Sequence, residues 1–241
     1  MGLFKKPSIR KDLTPSCTAV IAAGGTSSRM GGEDKLFCTL GGKPVILRTV
    51  EAFQSCENID NIIIVTRPDS LEKISDLCSE NGMTKVRAVV SGGDTRQKSV
   101  MAGLAALPRE SALVAIHDGA RPLVTEEIIR QAIIKATKYS AAAPAVKVTD
   151  TVKSVKDGVA GAAPDRESLR LVQTPQVFRR EIILAALESA KAKGKEYTDE
   201  TGAVEAIGGT VYLTEGSPRN LKITTPTDLL VAEAFLKEGG Q

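Results

Sequence analysis

Three stretches of this sequence pair small residues with charge in a way that suits an anionic ligand. The first is Ala22-Ala-Gly-Gly-Thr-Ser-Ser-Arg-Met-Gly-Gly-Glu-Asp-Lys35. Small residues at Ala22, Ala23, Gly24 and Gly25 let backbone N–H groups approach a phosphate, and the cations Arg29 and Lys35 can neutralise one. The two common phosphate motifs do not fit. A dinucleotide fingerprint begun at Gly24 puts Arg29 where its third Gly belongs, and no GxxxxGK(S/T) can be laid over the segment. A solvated surface loop is the plainer alternative.

The second stretch is Ser91-Gly-Gly-Asp-Thr-Arg-Gln-Lys-Ser-Val100. Gly92 and its neighbour permit positive φ or close approach of a ligand. Asp94 or Thr95 can cap the helix that follows, and Ser99 falls in its first turn. An ordinary turn plus cap explains the same residues. The third stretch, His117-Asp-Gly-Ala-Arg-Pro122, sets a carboxylate and an Arg beside a small-residue turn. Asp118 could hold Mg²⁺, a hard cation that prefers oxygen, or a ribose, with Arg121 on a phosphate. Structurally, the two could simply pair with each other. His117, the single His, reads as a packed strand-end residue, and no Ser-His-Asp or Cys-His arrangement can be built around it. Later in the chain, Asp165-Arg166, Thr174-Pro-Gln176, Asp199-Glu200 and Asn220-Leu-Lys-Ile-Thr224 add weaker signals, with Lys222 in a short apolar stretch.

These residues suit an anionic nucleotide and a second phosphorylated ligand, without the apparatus of proton abstraction or acyl transfer. A phosphate monoester, with a second pKa near ~6, is already mostly dianionic at neutral pH. Such a nucleophile needs alignment with a phosphorus centre and cations to absorb developing charge, not a general base.

The elements that must position these residues read as alternating strands and helices. Compact β-branched runs at 17–22, 61–65, 86–90 and 112–116 have the look of strands buried on both faces of a parallel sheet. Helical patterns lie between and after them at 44–54, 71–81, 97–107 and 125–139, with Val100, Gly103, Leu104 and Leu107 along one face of the third. This alternation predicts a doubly wound α/β fold with helices on both faces, whose ligands sit beyond the carboxyl ends of the strands. The chemistry-bearing stretches fall at those ends. From 148 to 172, short alternating runs around Gly158, Gly161 and Pro164 predict a hairpin-like projecting arm. Helices follow at 179–193 and from Thr198-Asp199-Glu200. The last is opened by Thr225-Pro226-Thr227-Asp228, with a cap, a Pro at the first position and an acid at the third.

Composition excludes several classes. A formal charge of +3 is too small for a nucleic-acid surface, and no apolar run approaches the ~20 residues needed to span a membrane. Cys17, Cys38, Cys56 and Cys78 form no CxxC pair, so free thiols in a reducing cytoplasm are expected, not a zinc site. Residues 1–16 read as a flexible basic tail and 17–241 as one domain.

At these motifs the chain resembles the 2-C-methyl-D-erythritol 4-phosphate cytidylyltransferase family of the non-mevalonate isoprenoid pathway. The resemblance runs from about Thr18 to about Phe235. It rests on the Ala22 loop with Arg29-Met30 and Lys35, Gly92-Gly-Asp-x-Arg96 with Ser99-Val100, His117-Asp-x-Ala-Arg-Pro122 and Asp150-Thr-Val-Lys153. Asp165-Arg166, Thr174-Pro-Gln176, Thr198-Asp-Glu200 and Asn220-x-Lys-x-Thr224 continue it in order. It implies a Rossmann-like nucleotidyltransferase sheet, Mg²⁺, pyrophosphate release and a homodimer formed through the β-arm. It further implies that Ala22–Gly25, Arg29 and Lys35 hold a CTP triphosphate, and that Gly92, Asp94 and Ser99 line the cytosine and ribose pocket. Asp118 and Arg121 would lie near ribose, metal and acceptor, and Thr174 near the acceptor. Thr151 and Arg166 would hold the acceptor phosphate at the neighbouring subunit's site, and Lys222 would meet the α-phosphate. A related pyrimidine nucleotidyltransferase acting on ribitol 5-phosphate is the alternative.

Overall fold

The computed structural model describes residues 14–25, 30 and 34–239. The first half alternates as the sequence predicts. β1 (Cys17–Ala23) is followed by a small hairpin of β2 (Thr39–Leu40) and β3 (Lys43–Pro44), then α1 (Val45–Ser55). β4 (Asn61–Thr66), α2 (Leu71–Glu80), β5 (Val86–Ser91), α3 (Arg96–Ala105), β6 (Leu113–Asp118) and α4 (Glu126–Tyr139) continue it. The second half adds β7 (Ala141–Lys147), the short strands β8 (Val155–Lys156) and β9 (Val159–Ala160), β10 (Arg170–Val172) and β11 (Gln176–Arg179). α5 (Arg180–Ala192), α6 (Glu200–Glu205), β12 (Tyr212–Glu215) and α7 (Pro226–Gly239) complete it.

Among the described residues the main sheet has eight strands in the order β10-β7-β11-β6-β1-β4-β5, with β12 also on β7. β6, β1, β4 and β5 run parallel, whereas β11 is antiparallel to both β6 and β7. Successive residues of a strand face opposite sides. Ala19, Ile21, Ile62, Ile64, Leu113 and Ala115 therefore pack with α1, α2 and α4. Val20, Ile63, Val65, Val114 and Ile116 pack with α3, α5 and α6. Each fully buried Val, Leu or Ile contributes roughly 1.5–3 kcal/mol, so β1 and β6, which carry Ala22 and Asp118, are among the best supported strands. α3 lies close to the sheet because residue 103 is Gly. A Cβ there would sit 2.5 Å from Val20 Cγ1 and 2.7 Å from Val65 Cγ2.

The region after residue 140 differs from expectation. β7, β11 and β12 join the sheet although their sequences, Ala141-Ala-Ala-Pro-Ala-Val-Lys147 foremost, lack the β-branched density of the first four strands. The 168–172 run is not part of a free-standing hairpin, since Arg170–Val172 pairs antiparallel with Ala145–Lys147 in the main sheet. The projecting segment itself is exposed at every residue from 149 to 168. Its hairpin pairs Val155 with Ala160 and Lys156 with Val159. Asp157 and Gly158 turn it with φ of 51° and 78°, the paired positive angles of a two-residue hairpin loop. Residues 1–13 of the predicted basic tail lie outside the described residues, as does Arg29.

Candidate active site

A cleft of about 290 Å³ opens beyond the carboxyl ends of β1, β5 and β6. Ala22, Ala23, Gly24, Gly25 and Lys35 line one side, Asp94, Arg96 and Ser99 another, and Asp118 and Lys222 the floor. Nine of the predicted site residues thus meet in one place although they span the sequence from 22 to 222. Gly92 lies beside the cleft under Ser99, and a Cβ on it would come within 2.6 Å of the Ser99 hydroxyl. Ser99 in turn accepts the Gly93 N–H at 3.2 Å and donates to the Thr95 carbonyl at 2.9 Å. Of the two residues offered as caps for α3, Thr95 caps it, accepting the Lys98 N–H at 3.2 Å. Asp94 pairs with Lys98 at the exposed rim.

The floor is built around Asp118, the last residue of β6. Its Oδ1 receives Nη2 of Arg96 at 3.3 Å, and its Oδ2 receives Nε of Arg121 and Nζ of Lys222, each at 3.1 Å. Burial alone would raise its pKa. Lys222, Arg96 and Arg121 override that and hold the carboxyl well below the usual carboxylate range. Asp118 and Arg121 do pair with each other, as the structural reading of that motif had it, and they do so within the cleft floor. Lys222 is aimed by its neighbours. Asn220 is fully buried and donates to the Thr174 carbonyl at 3.0 Å, and the Ile223 N–H bonds the Ala120 carbonyl at 2.8 Å. The backbone is anchored on both sides of the lysine. α7 behind it opens on the predicted cap, with Asp228 accepting the Thr225 N–H and Thr225 Oγ1 accepting the Asp228 N–H.

His117 is fully buried, as expected of a packed residue, but its role is to fasten the strand end. Its Nε2 faces the Arg121 carbonyl at 3.2 Å, so that nitrogen carries the proton and donates. Nδ1 then accepts from the Thr174 hydroxyl at 3.0 Å, while Thr174 Oγ1 accepts the Asp118 N–H at 3.1 Å. Burial pushes the imidazole pKa down to about 3. The ring is neutral and engaged at both nitrogens, which leaves it no capacity as a general base. Thr174 supports Asp118 from behind the cleft.

Thr151 and Arg166 are not brought to this cleft. Both are exposed on the arm, where Nη1 of Arg166 donates to the Thr149 carbonyl at 3.0 Å. Two further contacts were not legible in the sequence. Arg96 reaches back to the buried Glu200 of α6, a pairing across 104 positions. Arg67 donates to the Gly25 carbonyl at 2.9 Å and to Asp34 at 2.7 Å, clipping together the two ends of the glycine-rich loop. Arg96 and Glu200 stand in motifs quoted above, but no spacing marks them as partners. Arg67 stands in none.

Among the described residues no group of three or more His, Cys, Asp or Glu could by itself hold a metal ion. Asp118 offers about four lone-pair directions, of which three are taken. Such a donor set fits a Mg²⁺ that arrives with a polyphosphate and keeps phosphate and water oxygens as its other ligands. No helix among the described residues is long and apolar enough to cross a membrane.

A Rossmann-like sheet whose strand ends gather a glycine-rich loop, cations and one buried carboxylate defines a nucleotidyltransferase. The family model described as 2-C-methyl-D-erythritol 4-phosphate cytidylyltransferase matches residues 17–238, and the chain belongs to that family. A Desulforamulus reducens protein of that name is 47% identical over 226 residues, covering 91% of this chain and 95% of its own. One from Caldanaerobacter subterraneus is 44% identical over 228 residues, with 92% and 99% covered. The crystal structure of 4-diphosphocytidyl-2C-methyl-D-erythritol synthase from Anaerococcus prevotii superposes with a TM-score of 0.83 at 32% identity, covering 92% of this chain and 96% of that one.

Proposed function

We propose that this chain transfers the cytidylyl group of CTP to 2-C-methyl-D-erythritol 4-phosphate, giving 4-diphosphocytidyl-2-C-methyl-D-erythritol and pyrophosphate. The observation that carries this reading is the convergence of Lys35, Lys222 and the Ala22–Gly25 backbone on one cleft with Asp118 at its floor. An oxygen of the acceptor phosphate attacks the α-phosphorus, the new P–O bond forms, and the bond to the bridging α–β oxygen breaks, with its electrons leaving on pyrophosphate. Lys222 absorbs charge on the α-phosphate. Lys35, the loop amides and Arg29 hold the β- and γ-phosphates. Gly92, Asp94 and Ser99 border the base and ribose. The acceptor is already a dianion near neutral pH, so a neutral, doubly bonded His117 is no handicap.

Mg²⁺ fits as the companion of the triphosphate, held by Asp118, and when bound it supplies charge neutralisation on the phosphates. Thr151 and Arg166 are proposed to hold the acceptor phosphate at the cleft of a second copy. The exposed Val152, Val155, Val159, Leu171 and Val172 support a homodimer through the arm, because this apolar surface lacks cover within one chain. The free thiols of Cys17, Cys38, Cys56 and Cys78 support a reducing cytoplasmic setting.

The test is pyrophosphate release from CTP and Mg²⁺ with methylerythritol phosphate or ribitol 5-phosphate as acceptor. Rapid release with the first alone is expected. Release with ribitol 5-phosphate alone would overturn the acceptor assignment while leaving the chemistry, and release with neither would overturn both.

A further inference from the structure

The three cations around Asp118 are not equivalent. Arg121 is shared with the Asn220 carbonyl, which accepts its Nη1 at 2.7 Å. Arg96 is shared with Glu200, whose side chain is only 3% exposed. Lys222 has Asp118 as its ion-pair partner, with no second acceptor among the described residues, and its side chain is 38% exposed to the cleft.

Glu200 is firmly placed. Its N–H and that of Thr201 both donate to Gln176 Oε1 on β11, at 3.1 and 3.2 Å. Gln176 Nε2 donates in turn to Asp199, which caps α6 by accepting the Gly202 N–H. Burying a carboxylate this completely is costly unless it is paired, and Oε2 has no hydrogen-bond partner among the described residues. The first turn of α6 is buried along with Ala203 and Val204, and the partner that compensates the Glu200 carboxylate there is Arg96, a residue that lines the cleft.

We propose that Glu200 is a positioning residue that keeps Arg96 committed to Asp118 and out of the set of phosphate ligands. Lys222 is then the cation that transfers from Asp118 to the reacting phosphate. This rests on the cytidylyl-transfer reading. The physical reason is the difference between uniform and differential binding. A guanidinium fork grips phosphate in two places, and a grip made equally in the ground state and the transition state lowers KM without raising kcat. Arg96 lines the same cleft, so it needs a restraint, and Glu200 supplies it.

The probes are pyrophosphate binding by calorimetry and steady-state turnover with CTP, Mg²⁺ and methylerythritol phosphate. In Glu200→Gln, with Arg96 released, pyrophosphate should bind about three- to tenfold more tightly, and KM for CTP should fall without any rise in kcat. Loss of packing alone would weaken binding, not strengthen it. Unchanged or weaker pyrophosphate binding in a folded Glu200→Gln variant overturns the proposal. If that variant does not fold, the double variant Arg96→Gln/Glu200→Gln, which removes both charges together, decides. Its pyrophosphate affinity should match the parent's, and a loss beyond about threefold would make Arg96 a phosphate ligand in its own right. Binding is read without the acceptor, so a parent protein that turned over neither acceptor would sink the functional reading and still leave the Glu200 restraint testable.

Discussion

At the floor of the cleft, Asp118 is met by three cations, two of which are held by further buried or backbone partners. On the arm, every residue from 149 to 168 is exposed, and the Arg166 guanidinium rests on a carbonyl of its own segment. The first region, the floor, is assembled within one chain: its carboxylate is paired, its tautomer fixed and its backbone anchored before any ligand arrives. The second presents charge and apolar surface with little inside the chain to use either. A site that must stabilise charge in a transition state gains from donors already in place. An arm proposed to reach a second copy would gain nothing from being completed within its own chain.

That contrast breaks most sharply at the lysines. Lys35→Ala and Lys222→Ala should each lower kcat by about 10²–10³-fold and leave the melting temperature almost unmoved. Near-normal turnover in folded Lys222→Ala would mean that the floor is not where charge is absorbed, and in folded Lys35→Ala that the glycine-rich side is not. The arm gives the next largest effect. Arg166→Ala should raise KM for the acceptor about 10–100-fold with CTP binding retained. At low acceptor concentration, exchanging subunits between Arg166→Ala and Lys222→Ala should give turnover above that of either variant alone, because one cleft then gains both intact halves. No recovery, or sedimentation as a monomer at micromolar concentration, would return the arm to its own chain.

The smallest effect sharpens the claim that the floor is prebuilt. Folded His117 stays neutral down to about pH 3, while in the unfolded chain it takes up a proton near its usual value of 6.5. Between those values the unfolded state binds more protons, so stability is complete above about pH 6.5 and falls as pH drops. The loss is about 2 kcal/mol by pH 5. Denaturant unfolding at pH 7 and pH 5 reads it directly. Equal stabilities would show that the ring is not held neutral as its two hydrogen bonds require.

The first four strands of the sheet were legible because their runs are compact and rich in β-branched residues, a pattern that survives without context. β1, β4 and β6 are buried on both faces as expected, whereas Val86–Ser91 forms the sheet edge and is only partly covered. The glycine and cation motifs were legible for a related reason: parallel α/β sheets deliver strand ends to one edge. What sequence does not display is pairing at long range. Ala141–Lys147 is a strand because β11, β10 and β12 flank it, and no property of four alanines and a proline announces that. Arg96 and Glu200 are each ordinary helix-start residues locally, and they become a pair only when α3 and α6 cover the same face of the sheet. The arm was recognised as a projection, but its final run was assigned to it when the backbone pairing of β10 binds that run to β7.

The sequence contains one histidine, and it stands next to Asp118 with both ring nitrogens in named hydrogen bonds. A nitrogen-15 spectrum of the imidazole region therefore holds one spin pair from the described chain, with no background to subtract. Its two shifts read the carbonyl of Arg121 and the hydroxyl of Thr174 separately. Movement of Arg121 when nucleotide enters would displace the Nε2 resonance first, and strain relayed through Thr174 would displace Nδ1. The ring that takes no part in the chemistry is thus the natural place from which to watch it.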